Sequence, residues 1–345
     1  MSSPVPVLLR PDNFTPPTRT PWGGTRLSRS YKAPYVARDI VIGESWEISV
    51  EPDFPGALED GRALTAYLGS APHAILGDEA ARGRTGTALL VKLIDTDGPL
   101  SVQIHPSDDY AGLAADECGK PESWYIVDRE PGAGLYLGFQ RGVSRAQIEQ
   151  ALREGGSLEP LLRFVPVEPG DFFLIDAGTP HAIGPGLTLV EPQHVIPGRR
   201  GVTYRYWDWN RRYDARGVED ASGEPRALHV EHALAVTRWR AVQEDGFVES
   251  IRVRAPLLSA GPAQLTVLAG DGGLASEWLH VARLTGTGRC RLPALDRLQG
   301  LTVLAGTVEV GGLRVEAGRS AVVPAQLQGS EVTLHGAHAI VSAVA

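Results

Sequence analysis

Apolar residues in this chain fall in short runs, some alternating with polar residues and others almost unbroken, and most runs stop at glycine or proline. That rhythm predicts strands over residues 45–50, 88–95, 100–105, 123–128, 134–139, 162–166, 171–175 and 187–192, with PG, DG and GP turns between several of them. A second series follows from near Ala233, over 236–242, 247–253, 264–269, 278–284, 301–310, 313–315, 320–324 and 331–334. Within it, LTVLAGTVEVGGLRVEAGRSAVVPAQL reads as successive hairpins. Helical spacing is scarce. It is clearest over 144–155, where Ile148 and Leu152 share a face, Ser144 and Gln147 fit a capping box, and Gly155–Gly156 form a stop. Shorter helices are expected over 56–68 and 108–115, the latter capped by Asp108 or Asp109. The Pro-rich first twenty or so residues read as an extended arm.

A β-rich chain of 345 residues has room for more than one domain. With 43% hydrophobic and 21% charged residues, its composition is that of a soluble globular protein. The net charge of −8 argues against nucleic-acid binding but leaves open an anionic small-molecule substrate, for which only the charge in the pocket counts. Two distant cysteines, Cys118 and Cys290, exclude both a disulfide scaffold and a Cys-rich zinc site. The start, MSSPVPVLLRPDNF, lacks a long apolar stretch and no later segment approaches a membrane-spanning length, so a cytoplasmic enzyme is the expectation.

Candidate chemistry concentrates in the first series. Gln103 and His105 lie two apart in SVQIHPSDDYA, so on a strand both side chains leave one face. Glu122 ends the turn GKPE just before a strand, and His181 closes VEPGDFFLIDAGTPHAIG after a tight Gly–Thr–Pro turn. Two imidazoles, a carboxylate and an amide oxygen suit a divalent metal such as zinc, with water or substrate completing its shell. Each residue alone has a plainer reading as a structural histidine or a solvated carboxylate, so the case rests on their joint setting at one mouth of a β-barrel.

Around them, Lys120 either reaches the same pocket to hold an anionic oxygen or forms a surface pair with Glu122. Ser101, two before Gln103, either binds a phosphate or is an exposed strand serine. Arg205, amid the aromatics of TYRYWDWNRR, either clamps a phosphate or covers aromatic surface with its stem. His194, Arg199 and Arg200 make a local basic cluster after Glu191, read either as a solvated loop or as an anion-attracting rim. The late His335 and His338 read as surface positions. No G-x-G-x-x-G or Walker sequence is present.

In order, WGGTRL, IGESWEIS, GPLSVQIHPSDDYA, GKPESWY, VEPGDFF…GTPHAIG and TYRYWDWNR resemble the type I, zinc-dependent mannose-6-phosphate isomerase (phosphomannose isomerase) family. The weaker LHVEHAL follows, so the likeness covers about residues 20–235. It implies a mainly β fold of two cupin-like jelly-roll domains: a metal-binding catalytic one over 1–235, with a helical insertion about 144–160, and a second without metal ligands over 236–345. It implies one Zn2+ per chain on Gln103, His105, Glu122 and His181. Lys120 and Arg205 would line the catalytic pocket, Ser101 would help to bind phosphate, and Glu191 would be a pocket carboxylate. The implied reaction is reversible conversion of mannose 6-phosphate to fructose 6-phosphate by proton transfer through a cis-enediol. Glu191 and a metal-bound water are both candidates for the proton shuttle. The alternatives are an isomerase or epimerase of another sugar or sugar phosphate, and a non-catalytic metal-dependent sugar-binding cupin. The expected partner is a small sugar phosphate, not nucleic acid or membrane; whether the chain is a monomer or a homo-oligomer stays open. The chain departs from the family in EPQHVIPGRRGVTYR, a longer and more basic link between Glu191 and Arg205, which bears on loop geometry and substrate preference.

Overall fold

The computed structural model describes residues 4–256 and 261–345, so the first three residues of the expected arm lie outside it. The chain is mainly β, built from jelly-roll-like antiparallel sheets stacked in layers, with a small helical insertion. A five-stranded sheet runs Tyr204–Trp207, Val102–Ile104, His181–Ile183, Gly134–Phe139, Leu162–Pro166. Beside it a six-stranded sheet runs Arg252–Arg254, Asp171–Ile175, Glu122–Arg129, Leu187–His194, Leu89–Thr96, Glu44–Ile48. The third, seven-stranded sheet is built on the long strands Leu279–Arg291, Gln299–Val310 and Glu331–Val344, and Val7–Leu8 of the N-terminal arm pairs with its strand Ser320–Val323.

The six-stranded sheet is the middle layer, and this explains its composition. In Leu89–Thr96, Leu89, Val91 and Leu93 pack toward the seven-stranded sheet among Leu304, Val322 and Ile340. Ile94 on the other face meets Leu100, Leu135, Leu137 and Ile183 of the five-stranded sheet. With both faces covered, the strand reads as a nearly unbroken apolar run. A buried ion pair also ties the middle and C-terminal layers. Lys32 Nζ lies 2.6 Å from Glu47 Oε1 and donates to Gly318 O (2.9 Å), and Ser45 and Ser320 donate to the same carboxylate. Gly24 is required where the chain crosses the end of Leu89–Thr96: a Cβ there would lie 2.7 Å from the Asp95 carboxylate, which accepts from Arg26 N.

The expected helix in the insertion is Arg145–Arg153, with Ser144 and Gln147 forming the capping box. With Val230–Val236 it covers the outer face of the five-stranded sheet, packing Ile148, Ala233 and Leu234 on Val102, Ile104 and Tyr206. Elsewhere tertiary contacts override local pattern. Residues 108–115 form turns, because Asp108 accepts from Gly119 N (2.7 Å) instead of capping a helix. No strand forms over 236–242; Val230–Val236 and Ala241–Gln243 are helical, as is Phe247–Ser250 ahead of the short strand Arg252–Arg254. Their apolar residues, Ala233, Leu234, Val242 and Val248, bury at helical spacing and do not alternate. Over 56–68 only Leu64 onward is helical, and Pro72 starts a second turn. His338 is not a surface position: it is largely covered, and Tyr125 Oη lies 2.8 Å from its Nε2 across the two layers. His335 is exposed, as expected, near Glu309.

Candidate metal centre and active site

Strand alternation aims the site. Val102, Ile104 and Ala182 point into the outer core, so Gln103, His105 and His181 point between the sheets. Opposite, Glu122 shares a face with Trp124 and Ile126. The candidate ligand atoms of His105, Glu122 and His181 all lie within 4.8 Å of one another, and all three residues are buried. Gln103 stands in register with His181 on one side and Arg205 on the other, and its Oε1 accepts from Ser101 Oγ (3.3 Å).

The hydrogen bonds behind the triad decide what it can hold. His105 Nδ1 lies 2.9 Å from Val202 O, and His181 Nδ1 2.8 Å from Thr179 O. A carbonyl only accepts, so both Nδ1 atoms carry a proton, and in the neutral ring Nε2 is left as the lone-pair position. Those lone pairs face Glu122: His105 Nε2 to Oε2 and His181 Nε2 to Oε1, each 3.2 Å. Among the described residues neither Nε2, nor Glu122 Oε1, has a hydrogen-bond partner. Buried acceptors facing acceptors repel unless a cation lies among them, so this donor set fits a divalent metal. Burial pushes His105 down to about 4, only partly offset by Glu122, and so keeps it in the neutral form that binds metal. Gln193 Nε2 donates to Glu122 Oε2 (2.6 Å), steadying the carboxylate.

Next to this centre lies a buried charge network that sequence reasoning only half found. Glu191 Oε1 accepts from Trp124 Nε1 (3.0 Å), while Oε2 lies 3.4 Å from Lys92 Nζ. Lys92 also approaches Glu44 (3.6 Å) and sits over the Trp46 ring. Burial, then the nearby Glu122, pushes the Glu191 carboxyl up to about 7, against the pull of Lys92. Burial, then Lys92, lowers the Lys120 ammonium, and its Nζ donates to Thr203 Oγ1 (3.0 Å). Lys92, Glu44, Gln193 and Thr203 were not foreseen. A lone lysine inside LLVKLI, and a glutamine two residues after Glu191, were the available signals.

Arg205 Nε donates to Ser101 Oγ (3.1 Å), bringing together the two candidate phosphate residues. Of the basic cluster, Arg200 lies against Asp116 and Glu117, and His194 is buried against Trp278, so neither makes a free positive rim.

Residues 18–130 match the catalytic domain of type I phosphomannose isomerase. The chain is 30% identical over 324 residues to the probable mannose-6-phosphate isomerase GmuF of Bacillus subtilis, covering 91% of this chain and 92% of that protein. The chain belongs to the mannose-6-phosphate isomerase family. Members of this family are aldose–ketose isomerases, and this chain is an enzyme of that class. It is also 32% identical over 219 residues to the mannose-6-phosphate isomerase of Streptococcus mutans, a match spanning 63% of that relative. The crystal structure of the mannose 6-phosphate isomerase from Bacillus subtilis superposes with a TM-score of 0.76 at 26% identity, covering 98% of this chain and 99% of that one. A structure of a putative mannosephosphate isomerase from Archaeoglobus fulgidus shares the fold, with a TM-score of 0.73.

Proposed function

We propose that this protein interconverts mannose 6-phosphate and fructose 6-phosphate, with one zinc ion per chain held by Gln103, His105, Glu122 and His181. The reading is supported most by the triad itself: two imidazoles and a carboxylate, all buried and turned toward one another, with Nε2 and Oε1 unpartnered among the described residues. When bound there, the metal supplies a Lewis acid that polarises the oxygens on C1 and C2 of the open-chain sugar.

The protein's own groups supply the rest. Isomerisation removes a proton from the carbon beside the carbonyl and returns it to the neighbouring carbon, through a cis-enediol. Glu191 is the proposed base, because a carboxylate pushed to about 7 both accepts and returns a proton near neutral pH. Trp124 and Lys92 hold that carboxylate by one oxygen each, which fixes its orientation. Lys120, kept as a buried donor beside Thr203, steadies negative charge developing on the enediol oxygens. Ser101 and Arg205 hold the phosphate end, the guanidinium offering a charged fork and the hydroxyl a neutral donor. Residues 1–235 are proposed as the catalytic unit, with the strand Arg252–Arg254 completing the edge of its middle sheet and the seven-stranded sheet closing over that sheet. Among the described residues no helix is long and apolar enough to cross a membrane; a cytoplasmic location is part of the proposal.

The test is turnover of mannose 6-phosphate to fructose 6-phosphate by purified protein of known metal content, with and without a chelator. Chelator-sensitive turnover restored by zinc is expected. A sample carrying about one zinc per chain that leaves mannose 6-phosphate untouched would send the assignment to another sugar.

A further inference from the structure

Behind Ser101 and Arg205 stands an ion pair that neither the metal centre nor the proton transfer uses. Asp208 is almost wholly buried and accepts from Arg226 at both oxygens, Nε to Oδ2 at 2.8 Å and NH2 to Oδ1 at 2.7 Å. Arg211 NH2 donates to the same Oδ1 (2.7 Å). Both guanidiniums lie over the Tyr213 ring, at 5.6 Å for Arg226 and 5.8 Å for Arg211. Burial pushes the Asp208 carboxyl up, but the two arginines outweigh it and keep it ionised below the usual range.

The pair matters for what it fastens. The residues after Arg226 close over Arg205: Arg205 NH1 donates to Ala227 O (2.8 Å), Arg205 N to His229 Nδ1 (3.1 Å), and His229 N to Arg205 O (2.8 Å). With NH1 held by that carbonyl, the guanidinium is oriented so that Nε meets Ser101 Oγ. The turn that carries Asp208 reaches Ser101 as well, because Trp209 Nε1 donates to Leu100 O (2.7 Å). Trp209 and Asn210 both lie in the left-handed region, with φ of 59° and 56°. Two such residues in succession, one of them a tryptophan, are costly and persist only where surrounding contacts fix them. Trp207 Nε1 to Asn210 Oδ1 (2.8 Å) and the Asp208 pairs supply those contacts.

We infer that the strained turn 207–211 and its Asp208–Arg226 pair form a clamp that positions Arg205 and Ser101 for the substrate's phosphate. Asp208 and Arg226 are thus positioning residues: one end of the clamp sets the backbone before Ser101, the other the chain over Arg205. The inference rests on the sugar-phosphate reading above. It adds that affinity for the phosphate end is set by groups that do not touch it.

The experiment pairs steady-state kinetics on mannose 6-phosphate with calorimetric binding of inorganic phosphate, for wild type and Arg226→Ala. A rise in KM of about tenfold or more, with kcat little changed, is expected from a misplaced positioning group, and phosphate binding should weaken in parallel. In an Arg205→Ala background the second substitution should lower kcat/KM by less than about twofold, since its effect runs through Arg205. Multiplying effects would mean that Arg226 acts on the ligand directly, and would overturn the clamp. Should Arg226→Ala fail to fold, the neutral pair Arg226→Met with Asp208→Asn replaces it, and a folded double variant with wild-type KM overturns the inference. Wild type that binds phosphate but turns over no aldose phosphate defeats the functional reading alone, and the binding comparison still decides the clamp. Wild type that binds no phosphate defeats the clamp.

Discussion

Replacing Lys92 with methionine isolates the control of the proposed base. The methionine stem keeps the packing over Trp46 and removes only the charge. Lys92 Nζ lies 3.4 Å from Glu191 and 3.6 Å from Glu44 in a dry interior. Unit charges 3.4 Å apart attract by about 5 kcal/mol at an effective dielectric of about 20. At about 1.4 kcal/mol per pKa unit this sets a ceiling above three units, and repacking and water entry bring the expected shift to one unit or more. The sign follows from the charge: Lys92 favours ionised Glu191, so its removal raises the carboxyl further above its present position near 7. A one-unit rise takes the ionised fraction at pH 7 from about half to about a tenth, a loss of about fivefold in kcat/KM. The assay is the pH profile of kcat/KM for both proteins over the same buffers. The acidic limb should move to higher pH by at least one unit, with the variant recovering toward wild type on the alkaline side. An acidic limb that stays in place, whatever happens to its height, refutes the assignment of Glu191 as a base tuned by Lys92.

His181→Ala should lose bound metal and turnover together while keeping a cooperative melt, read by metal analysis and calorimetry; full metal content would remove His181 from the ligand set. Lys32→Met leaves Glu47 buried without its counter-charge and should cost about 3–5 kcal/mol in denaturant unfolding, whereas Lys32→Met with Glu47→Gln should recover much of that loss. Burial, then Arg283, pushes His338 down to about 4. Its folded value lies below the unfolded one near 6.5, so its contribution is intact above about pH 6.5 and lost as pH falls toward 4. His338→Asn should flatten the melting temperature across that window, and an unchanged slope would show that the Tyr125 contact does not depend on the neutral ring.

The candidate triad of His105, Glu122 and His181 was legible mainly through the order of its motifs, because the two-residue spacing of Gln103 and His105 and the tight turn before His181 each have a plainer structural reading. Strand positions were legible wherever a layer is covered on one or both faces, since burial imposes alternation or an apolar run. The strands expected over 236–242 and 247–253, the second save for its end, were misread because short helices packed on a sheet bury the same residue types as strands do, and only helical spacing separates the two. Lys92 escaped notice because a lysine among leucines resembles a side chain reaching for solvent, and its two carboxylates come from strands that adjoin its own in the sheet but lie far from it in sequence. Asp208 and Arg226 are separated by segments with no periodic pattern, so their pairing exists only in three dimensions. His338 looked like surface because its cover, Tyr125, belongs to a different layer.

The middle sheet has no spare side. Its four inner strands answer on one face to the five-stranded sheet and on the other to the C-terminal layer, so a substitution at Leu89, Val91 or Tyr125 is transmitted to the backbone that carries Lys92 and Glu122. Such a sheet tolerates little drift, and new substrate preferences must arise by trial in the connecting loops while the strands stay frozen. The same feature makes the C-terminal layer a scaffold the middle sheet cannot shed: a fragment that ends after Arg254 would turn a whole apolar face to water and aggregate before it could be assayed.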